Sequence, residues 1–236
     1  MEKFHYNPIP LTERTREYFP NLQTLYQYYS NDNQFETDTR IIARKHCKIK
    51  EYDLYHDQIQ LLEEWSGLSI GNIVFDSKID NKDRSRWNFY PKILNKKQLL
   101  FLIESTDGEK FGYYEDKLIK REHRLIQIKP TNEKSFHFNI QSRNNRLSNP
   151  MKFEIKEPYS HGYGFVWCPK PTTLIRIGTI IIKNKRFKNN SYCLPQNDSF
   201  DFHGIERALC GNEPNEKGNM IFSPKRMLVI QMKSQI

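Results

Sequence analysis

Two groups of cysteine and histidine residues are the first places in this sequence where chemistry could occur. Cys193, Cys210 and His203 lie close together along the chain, and His161 and Cys168 form a second group. A cysteine hydrolase needs a thiolate beside a base that a third group orients, and the spacing alone does not define that geometry. No C-x-x-C pair or zinc-module spacing is present, so the sequence favours reduced structural thiols in an intracellular protein.

A run of lysine and arginine residues is the second chemical feature. Lys183, Lys185, Arg186 and Lys188 surround Phe187 in a segment rich in asparagine. Cations, amides and an aromatic ring in one loop can contact phosphates and stack on a base. These four cations are therefore the candidate polyanion-binding residues, and the run is also typical of a nuclear localisation signal. The alternative is a solvated hairpin tip.

Further basic residues are distributed over the chain. They form three groups: Lys117, Lys120, Arg121 and Arg124; Arg143 and Arg146; and Arg40, Arg44, Lys45, Lys48 and Lys50. The chain has 37 Lys and Arg against 28 Asp and Glu, a net charge of +9, which attracts nucleic acid, anionic lipid or acidic protein surfaces. The excess charge could instead be spread over the surface. No helix-turn-helix, RRM or zinc-finger pattern indicates sequence-specific readout of nucleic acid.

The other motifs are weak. Residues 161–164 contain a G-x-G pair but lack the third glycine and the following helix of a nucleotide-binding loop. Neighbouring carboxylates such as Asp80 and Asp83 have no partner that would define an acid and a base. Because no catalytic, metal or cofactor constellation is recognisable, the sequence predicts a non-enzymatic protein without a cofactor.

The elements that would position these residues change in character along the chain. Residues 1–66 read as helical, and the clearest helix, predicted over 53–65, has an apolar stripe that ends at Gly67. The sequence therefore predicts an N-terminal helical extension over 1–61. The stripe is expected to pack on the protein's own sheet, with a partner surface as the alternative.

Short β-rich runs separated by polar turns follow, and they predict a mostly β domain over 62–236. An antiparallel two-sheet β-sandwich with helices (α+β) is the expected architecture. Residues 99–104, the Asp107-Gly108 turn and residues 110–114 together predict a β-hairpin. Asp107 and Gly108 are expected to supply the positive φ angles of its tight turn. The other predicted strands are 73–75, 125–128, 136–140, 151–155, 164–167, 174–182 and 227–232.

The order of these segments resembles the TLDc domain of oxidation resistance proteins. The likeness covers about residues 62–233, and its most specific part is the hairpin with Asp107-Gly108 and Phe111-Gly112. A strand carrying Gly178, a Ser-x-Cys segment ending at Cys193 and a closing strand over 222–231 follow in the family's order. Gly112 is expected to allow close strand packing or a bulge. The sequence lacks the family's long glycine-rich stretch, and Leu228 stands where the closing strand usually has a glutamate.

The resemblance implies a two-sheet TLDc-like β-sandwich and a binding module of the oxidative stress response. Its implied partners are proteins, among them subunits of the V-type ATPase, and Cys193 becomes the candidate redox thiol. The alternative is a basic nucleic-acid-binding regulator of the nucleus. No apolar run approaches the roughly 18 residues that span a bilayer, and the first residues lack a signal-peptide pattern. A cytoplasmic location is expected, with the nucleus as the alternative; oligomeric state is left open.

Overall fold

A computed structural model describes the chain from residue 48 onwards with several gaps. The described residues are 48–80, 86–120, 127–128, 134–142, 150–156, 165–166, 172–184, 190–195, 200–205 and 207–234. The chain divides into two compact units, Met1–Asp57 and Gln58–Ile236.

In the first unit, the described residues form a short hairpin. Strands β1 (Lys48–Ile49) and β2 (Leu54–Tyr55) pair antiparallel. The turn closes because Asp53 adopts a φ of 60° and donates its N–H to Ile49 O at 2.9 Å. An ion pair of 2.7 Å joins Lys48 to Asp53. The helical prediction for this stretch is therefore wrong over 48–55, and the prediction for 1–47 lies outside the described residues.

The larger unit is mostly β. Helix α1 (His56–Ser66) begins in the last two residues of the first unit, and α2 (Arg86–Ile93) belongs to the larger unit. Its strands are β3 (Ile73–Asp76), β4 (Leu99–Ser105), β5 (Lys110–Glu115), β6 (Gln127–Ile128), β7 (Phe136–Gln141), β8 (Met151–Glu154), β9 (Phe165–Val166), β10 (Thr173–Ile177), β11 (Ile180–Lys183), β12 (Ser191–Cys193), β13 (Met220–Phe222) and β14 (Pro224–Gln231). Within the described ranges, neither helix is long and apolar enough to cross a membrane.

The strands form two six-stranded sheets, and every pairing in the described residues is antiparallel. The first sheet has the order β3-β14-β4-β5-β7-β8, and the second has the order β13-β12-β11-β10-β9-β6. Strand β14 thus lies between β3 and β4. Its Arg226 forms a two-pronged ion pair with Asp76 of β3, with atom separations of 3.1 and 2.6 Å. Burial would raise the pKa of Asp76, but the hydrogen bonds from Arg226 and from the Lys78 N–H outweigh it and lower that pKa.

The predicted hairpin is present as β4 and β5. Gly108 has a φ of +88°, and its N–H donates to Ser105 O at 3.2 Å. Asp107 was expected to share the positive φ, but of these two described residues only Gly108 has it, because a three-residue loop needs a single left-handed position. A Cβ atom on Gly112 would lie 1.9 Å from the backbone oxygen of Phe101, so the close packing predicted for Gly112 is present.

Both sheets contribute to one apolar core. Phe101 and Phe111 from the first sheet and Ile175 from the second belong to the same buried cluster. The Phe111 ring meets Phe222 of β13 edge to face, with ring centres 5.1 Å apart. On the first sheet, α1 contributes a buried Leu62, and Trp65 lies edge-on to Phe136 at 6.4 Å. The apolar stripe of α1 therefore packs on the protein's own sheet, as expected.

Two predicted strands are each divided in the structure. The run 174–182 was predicted as one strand but forms β10 and β11, because Gly178 with φ +54° makes a tight turn that pairs Ile177 with Ile180. The run that was expected to form the closing strand from Phe222 onwards is shared between the two sheets. Phe222 ends β13 in the second sheet, and β14 begins at Pro224 in the first.

Candidate functional site

Four lysines come together where two loop segments run side by side. Asn95 donates its N–H to Ile119 O at 2.8 Å, and Ile119 donates its N–H to Lys96 O at 2.8 Å. Ile119 is fully buried, so it anchors the second segment in the core. The two segments carry the side chains that we call the lysine patch: Lys96, Lys97, Lys117 and Lys120.

The lysine patch combines positive charge with an apolar side chain. Lys97 and Lys120 are exposed, and Leu118, between the lysines of the second segment, is 38% exposed. Two carboxylates precede this segment, and the charge of Lys117 acts on the first of them, Glu115. Glu115 is buried, and Asp116 accepts a hydrogen bond from the Tyr114 hydroxyl at 3.0 Å. The surface therefore presents ammonium groups around an apolar contact point, which suits an acidic partner with an apolar residue.

The backbone of the first segment is held in an uncommon conformation. Asn95 and Gln98, on either side of the Lys96-Lys97 pair, have φ values of 59° and 58°. Non-glycine residues adopt this left-handed region rarely, and such residues concentrate where the surrounding structure fixes them for function. The hydrogen bonds with Ile119 supply that constraint, so the two lysines project from a backbone that is already ordered.

The polyanion-binding residues predicted from the sequence are placed only in part. Lys183, at the end of β11, donates to the Thr173 hydroxyl at 3.2 Å, and its ammonium lies 5.5 Å from the centre of the Tyr192 ring. Lys185, Arg186 and Lys188 lie outside the described residues. Lys183 is therefore engaged by neighbouring strands of its own sheet. The group at Lys117 and Lys120 belongs to the lysine patch, whereas Arg121 and Arg124 are also outside the described ranges.

Lys96 and Lys97 were missed by the sequence analysis. They follow a predicted apolar-polar segment and precede a predicted strand, where a pair of lysines is typical of an ordinary exposed connection. Only the hydrogen bonds with Ile119 bring them beside Lys117 and Lys120. No local sequence pattern encodes that pairing, although two basic pairs flanking one predicted hairpin could have suggested it.

The two described cysteines are neighbours in space. Cys193 of β12 lies opposite Met220 of β13, and the Cys210 thiol donates to Met220 O at 3.4 Å. Neither thiol is in a disulfide, and their side chains are 0% and 1% exposed. Burial, followed by the hydrogen bond with the Cys210 thiol, raises the pKa of Cys193 well above its usual range. In this arrangement Cys193 is a thiol rather than a nucleophilic thiolate.

The histidine that is closest in sequence to these thiols does not supply a base to them. The His203 ring is about half exposed and pairs with the Asp201 carboxylate at 3.4 Å. The other candidate group, His161 with Cys168, lies outside the described residues, as does Cys47. Among the described residues, therefore, no cysteine hydrolase geometry is formed at Cys193 or Cys210.

A buried histidine that the sequence did not single out joins the two sheets. His137 of β7 donates from Nδ1 to Gly112 O at 3.1 Å, and its Nε2 accepts the N–H of Thr179 at 3.1 Å. This pattern requires the neutral tautomer with the proton on Nδ1. Burial lowers the pKa of His137 to about 3, against the smaller opposing effect of Gly112 O. A Cβ atom on Gly178 would lie 2.2 Å from Nε2, so the glycine makes room for the histidine.

A buried carboxyl group lies at the end of β5. Glu115 accepts hydrogen bonds from the Lys117 N–H at 3.0 Å, the Ser135 hydroxyl at 3.1 Å and the Tyr113 hydroxyl at 3.3 Å. Burial raises the pKa of Glu115 to about 7 although each of these donors lowers it. Through the Lys117 N–H, this carboxyl group holds the first residue of the second patch segment.

The remaining described residues offer no metal centre. Within the described ranges, no group of three or more His, Cys, Asp or Glu side chains is placed to hold a metal ion. Neither a protein-family model nor a curated protein sequence matches the chain.

Proposed function

We propose that this chain is a non-enzymatic, TLDc-like binding module of the oxidative stress response that captures an acidic surface of a protein partner. The lysine patch is the contact surface. The fold that carries it is a two-sheet β-sandwich of the TLDc type. The resemblance implies subunits of the V-type ATPase as the partner.

The observation that supports the proposal most is the convergence of Lys96, Lys97, Lys117 and Lys120 on two segments joined by reciprocal hydrogen bonds. Lysines scattered over a surface attract anions only weakly at physiological ionic strength, because the Debye length is about 8 Å. Lysines on two segments joined by backbone hydrogen bonds are closer together than scattered lysines, so their charges reinforce one another. A clustered positive surface increases the rate of association with a negative partner and determines which partners are accepted.

The composition of the patch favours a protein partner over nucleic acid. Its described side chains are lysines around Leu118, without an arginine fork or an aromatic ring among them. Arginine and aromatic residues are the ones that recognise phosphates with two hydrogen bonds and stack on bases. An apolar residue surrounded by lysines instead complements a protein surface with an apolar residue in an acidic rim.

The TLDc-like part of the proposal is supported by the order of elements. The β4–β5 hairpin contains Phe111 in the shared core and Gly112 against the Phe101 backbone, at the positions that carry the resemblance. Two antiparallel sheets with one common core are what a β-sandwich requires. The packing role of these residues explains why their order along the chain resembles the family's.

The test is capture of partners from native lysate by the tagged chain, with and without nuclease, followed by mass spectrometry. The variant that carries Lys96→Glu, Lys97→Glu and Lys120→Glu is compared with a control of equal charge change. The control carries Lys134→Glu, Lys217→Glu and Lys233→Glu, which are exposed lysines outside the patch. We expect the patch variant to lose at least about tenfold in captured partner while the control does not.

The outcomes separate the alternatives. Partners that survive nuclease and depend on the patch support the proposal, and V-type ATPase subunits among them support the partner that the resemblance implies. Loss of every partner on nuclease treatment, with nucleic acid recovered from the untreated sample, would replace the proposal with the nucleic-acid-binding alternative. Equal loss in the patch and control variants would show that net charge rather than the patch drives binding.

A further inference from the structure

Cys193 and Cys210 form a close pair of thiols that the lysine patch does not use. Both contact Met220. Cys193 is its cross-strand neighbour, and the Cys210 thiol donates a hydrogen bond of 3.4 Å to its carbonyl oxygen. The Cys210 side chain also lies near enough to Cys193 to raise the pKa of its thiol. A disulfide requires sulfur atoms about 2 Å apart, so the two thiols must still approach each other before they can bond.

In the closed structure, however, neither thiol is ready to react. Both are almost completely buried, and the protonated form of Cys193 is favoured by burial. Peroxides oxidise the thiolate, and the rate depends on both thiolate character and access. Reaction therefore requires local opening that admits water and oxidant.

The two thiols are held by different kinds of bonds. Cys193 lies inside a sheet, with β11 on one side and β13 on the other. Cys210 belongs to the 207–212 turn, which side-chain hydrogen bonds attach to the sheets. The Asn139 amide donates to Leu209 O at 2.7 Å and to Ala208 O at 3.3 Å, and the Asn212 amide donates to Ile221 O at 2.6 Å. Ala208, Leu209 and Cys210 also belong to the buried core, but residues 207–212 are not part of a strand. A segment held by side chains opens at lower free energy than a central strand.

We propose that Cys193 and Cys210 are a latent redox pair, which hydrogen peroxide converts to a disulfide when the 207–212 turn opens. One thiolate attacks a peroxide oxygen, the O–O bond breaks, and a sulfenic acid and hydroxide are formed; the hydroxide takes up the thiol proton as water. The second thiol then attacks the sulfenic sulfur, an S–S bond replaces the S–O bond, and a second water leaves. One peroxide is reduced to water for each disulfide formed. This inference does not depend on the proposed binding function.

Closure of the turn after oxidation would bury the disulfide. A buried disulfide is protected from attack by external thiolates, because exchange requires access to a sulfur atom. The pair would thus remain oxidised after exposure to peroxide and would return only slowly to the reduced form. The bond would also tie the 207–212 turn to β12, which replaces attachment by side chains with a covalent link.

The experiment uses the full chain with Cys47→Ser and Cys168→Ser, so that Cys193 and Cys210 are the remaining thiols. Samples are treated with hydrogen peroxide, quenched with an alkylating reagent at timed intervals and measured by intact mass. We expect both thiols to disappear together, with a mass lower by two hydrogen atoms. Accumulation of singly alkylated protein with a sulfinic acid on one cysteine would overturn the pairing.

Control of oxidation by opening of the 207–212 turn is tested with Asn139→Ala, which removes the amide that holds Leu209 and Ala208. We expect disulfide formation to become about tenfold faster, because a lost buried hydrogen bond shifts the opening equilibrium by about that factor. The matched control is Tyr90→Phe, which removes a buried hydrogen bond of 3.1 Å to Leu174 O away from the turn. Equal acceleration in both variants would contradict gating by the turn.

A measurement on the protein with its native Asn139 keeps the role of turn opening testable if Asn139→Ala does not fold. Hydrogen exchange of the 207–212 amides is followed in urea below the unfolding transition, together with the rate of disulfide formation. The two rates are expected to rise in parallel. A rate of disulfide formation that stays constant while the amides of the turn exchange faster would refute opening of the turn as the controlling step.

Discussion

The buried carboxyl group at the end of β5 and the lysine patch, whose second segment begins two residues later, are held in opposite ways. At Glu115 the side chain is fixed by Lys117 N–H, Ser135 and Tyr113. In the patch it is the backbone that is fixed, and the Lys97 and Lys120 side chains on it are exposed. The first region holds its side chains in place, whereas the second exposes these two side chains to a partner. Substitutions in the interior should therefore change stability, and substitutions in the patch should change binding.

The largest effect is expected at Gly112. In Gly112→Ala, the new methyl group would lie 1.9 Å from Phe101 O and 2.6 Å from the Phe138 ring, and a backbone atom in a central sheet cannot move aside. We expect a loss of about 4 kcal/mol in the free energy of unfolding. Urea denaturation followed by circular dichroism measures it. A loss below about 1 kcal/mol would mean that the hairpin tolerates a side chain there.

Gly178→Ala should cause the next largest loss in the free energy of unfolding, and the chain provides a matched control for it. Gly178 and Gly204 both have positive φ, at +54° and +71°, but a Cβ atom on Gly204 meets no atom within 4 Å. Both alanines incur about 1 kcal/mol for the left-handed backbone, and only Gly178→Ala also displaces His137. We expect about 3 kcal/mol for Gly178→Ala against about 1 kcal/mol for Gly204→Ala. Equal values in urea denaturation would remove the role assigned to His137.

Glu115→Gln should change the pH dependence of stability. The pKa of Glu115 is raised from 4.5 to about 7 in the folded chain, so the folded state binds the extra proton between those values. Its contribution is complete below pH 4.5 and is lost as the pH rises through 7, a change of about 3 kcal/mol. The glutamine cannot ionise and keeps the oxygen that accepts from Lys117 and Ser135. We expect this variant to be about 2 kcal/mol more stable than the native chain at pH 8.

His137 has the opposite effect on the pH dependence of stability. Its effect is present in both the native protein and Glu115→Gln, so these two proteins are compared directly. Its pKa falls from 6.5 to about 3 on folding. The unfolded chain therefore binds the proton more readily over that range, and the stability contributed by a neutral His137 is lost as the pH falls. Between pH 4.5 and 6.5 the two residues partly cancel in the native chain. The difference between the native protein and Glu115→Gln across pH 4.5–8 isolates Glu115, and a constant difference would contradict its raised pKa.

The smallest effect on stability is expected in the lysine patch. Lys96→Glu, Lys97→Glu and Lys120→Glu change exposed or half-exposed side chains. We expect each to change the free energy of unfolding by less than about 0.5 kcal/mol. Thermal unfolding of the three single variants measures this. A single variant that loses more than about 2 kcal/mol would show that the patch is a structural element, and the contrast with the interior would fail.

The sequence predicted the parts of the fold that local patterns determine. A continuous apolar run, the Asp107-Gly108 turn and an aromatic run placed the β4–β5 hairpin to within one residue at most of its strand ends, observed at Leu99–Ser105 and Lys110–Glu115. The mostly β character followed from the number of such runs. The turn at Gly178 was missed because an uninterrupted apolar run on both sides of it resembles one long strand. The β1–β2 hairpin was missed because its turn depends on Asp53 in a left-handed conformation, which aspartate adopts only occasionally.

The candidate sites depended more on contacts that are distant in sequence. The proximity of Cys210 to Cys193 results from the position of β13 beside β12, and a sequence separation of this length does not indicate it. His137 reads as an alternating strand residue, and its neutral state follows only from Gly112 on one side and Thr179 on the other. Single residues such as Gly112 could be assigned a role because steric exclusion is local. No role could be assigned to the lysine patch from the sequence, because its two segments lie on either side of a hairpin.

The position of β14 has a consequence for how the protein is made. Residues 224–231 lie between β3 and β4, which are synthesised well before them. A nascent chain leaving the ribosome therefore exposes the unpaired edges of β3 and β4, with Leu100 and Leu102, until β14 has emerged. Unpaired strand edges of this kind are where nascent chains aggregate and where chaperones bind. Translation stopped before residue 224 would leave the first sheet divided, so its product should be degraded rather than partly active.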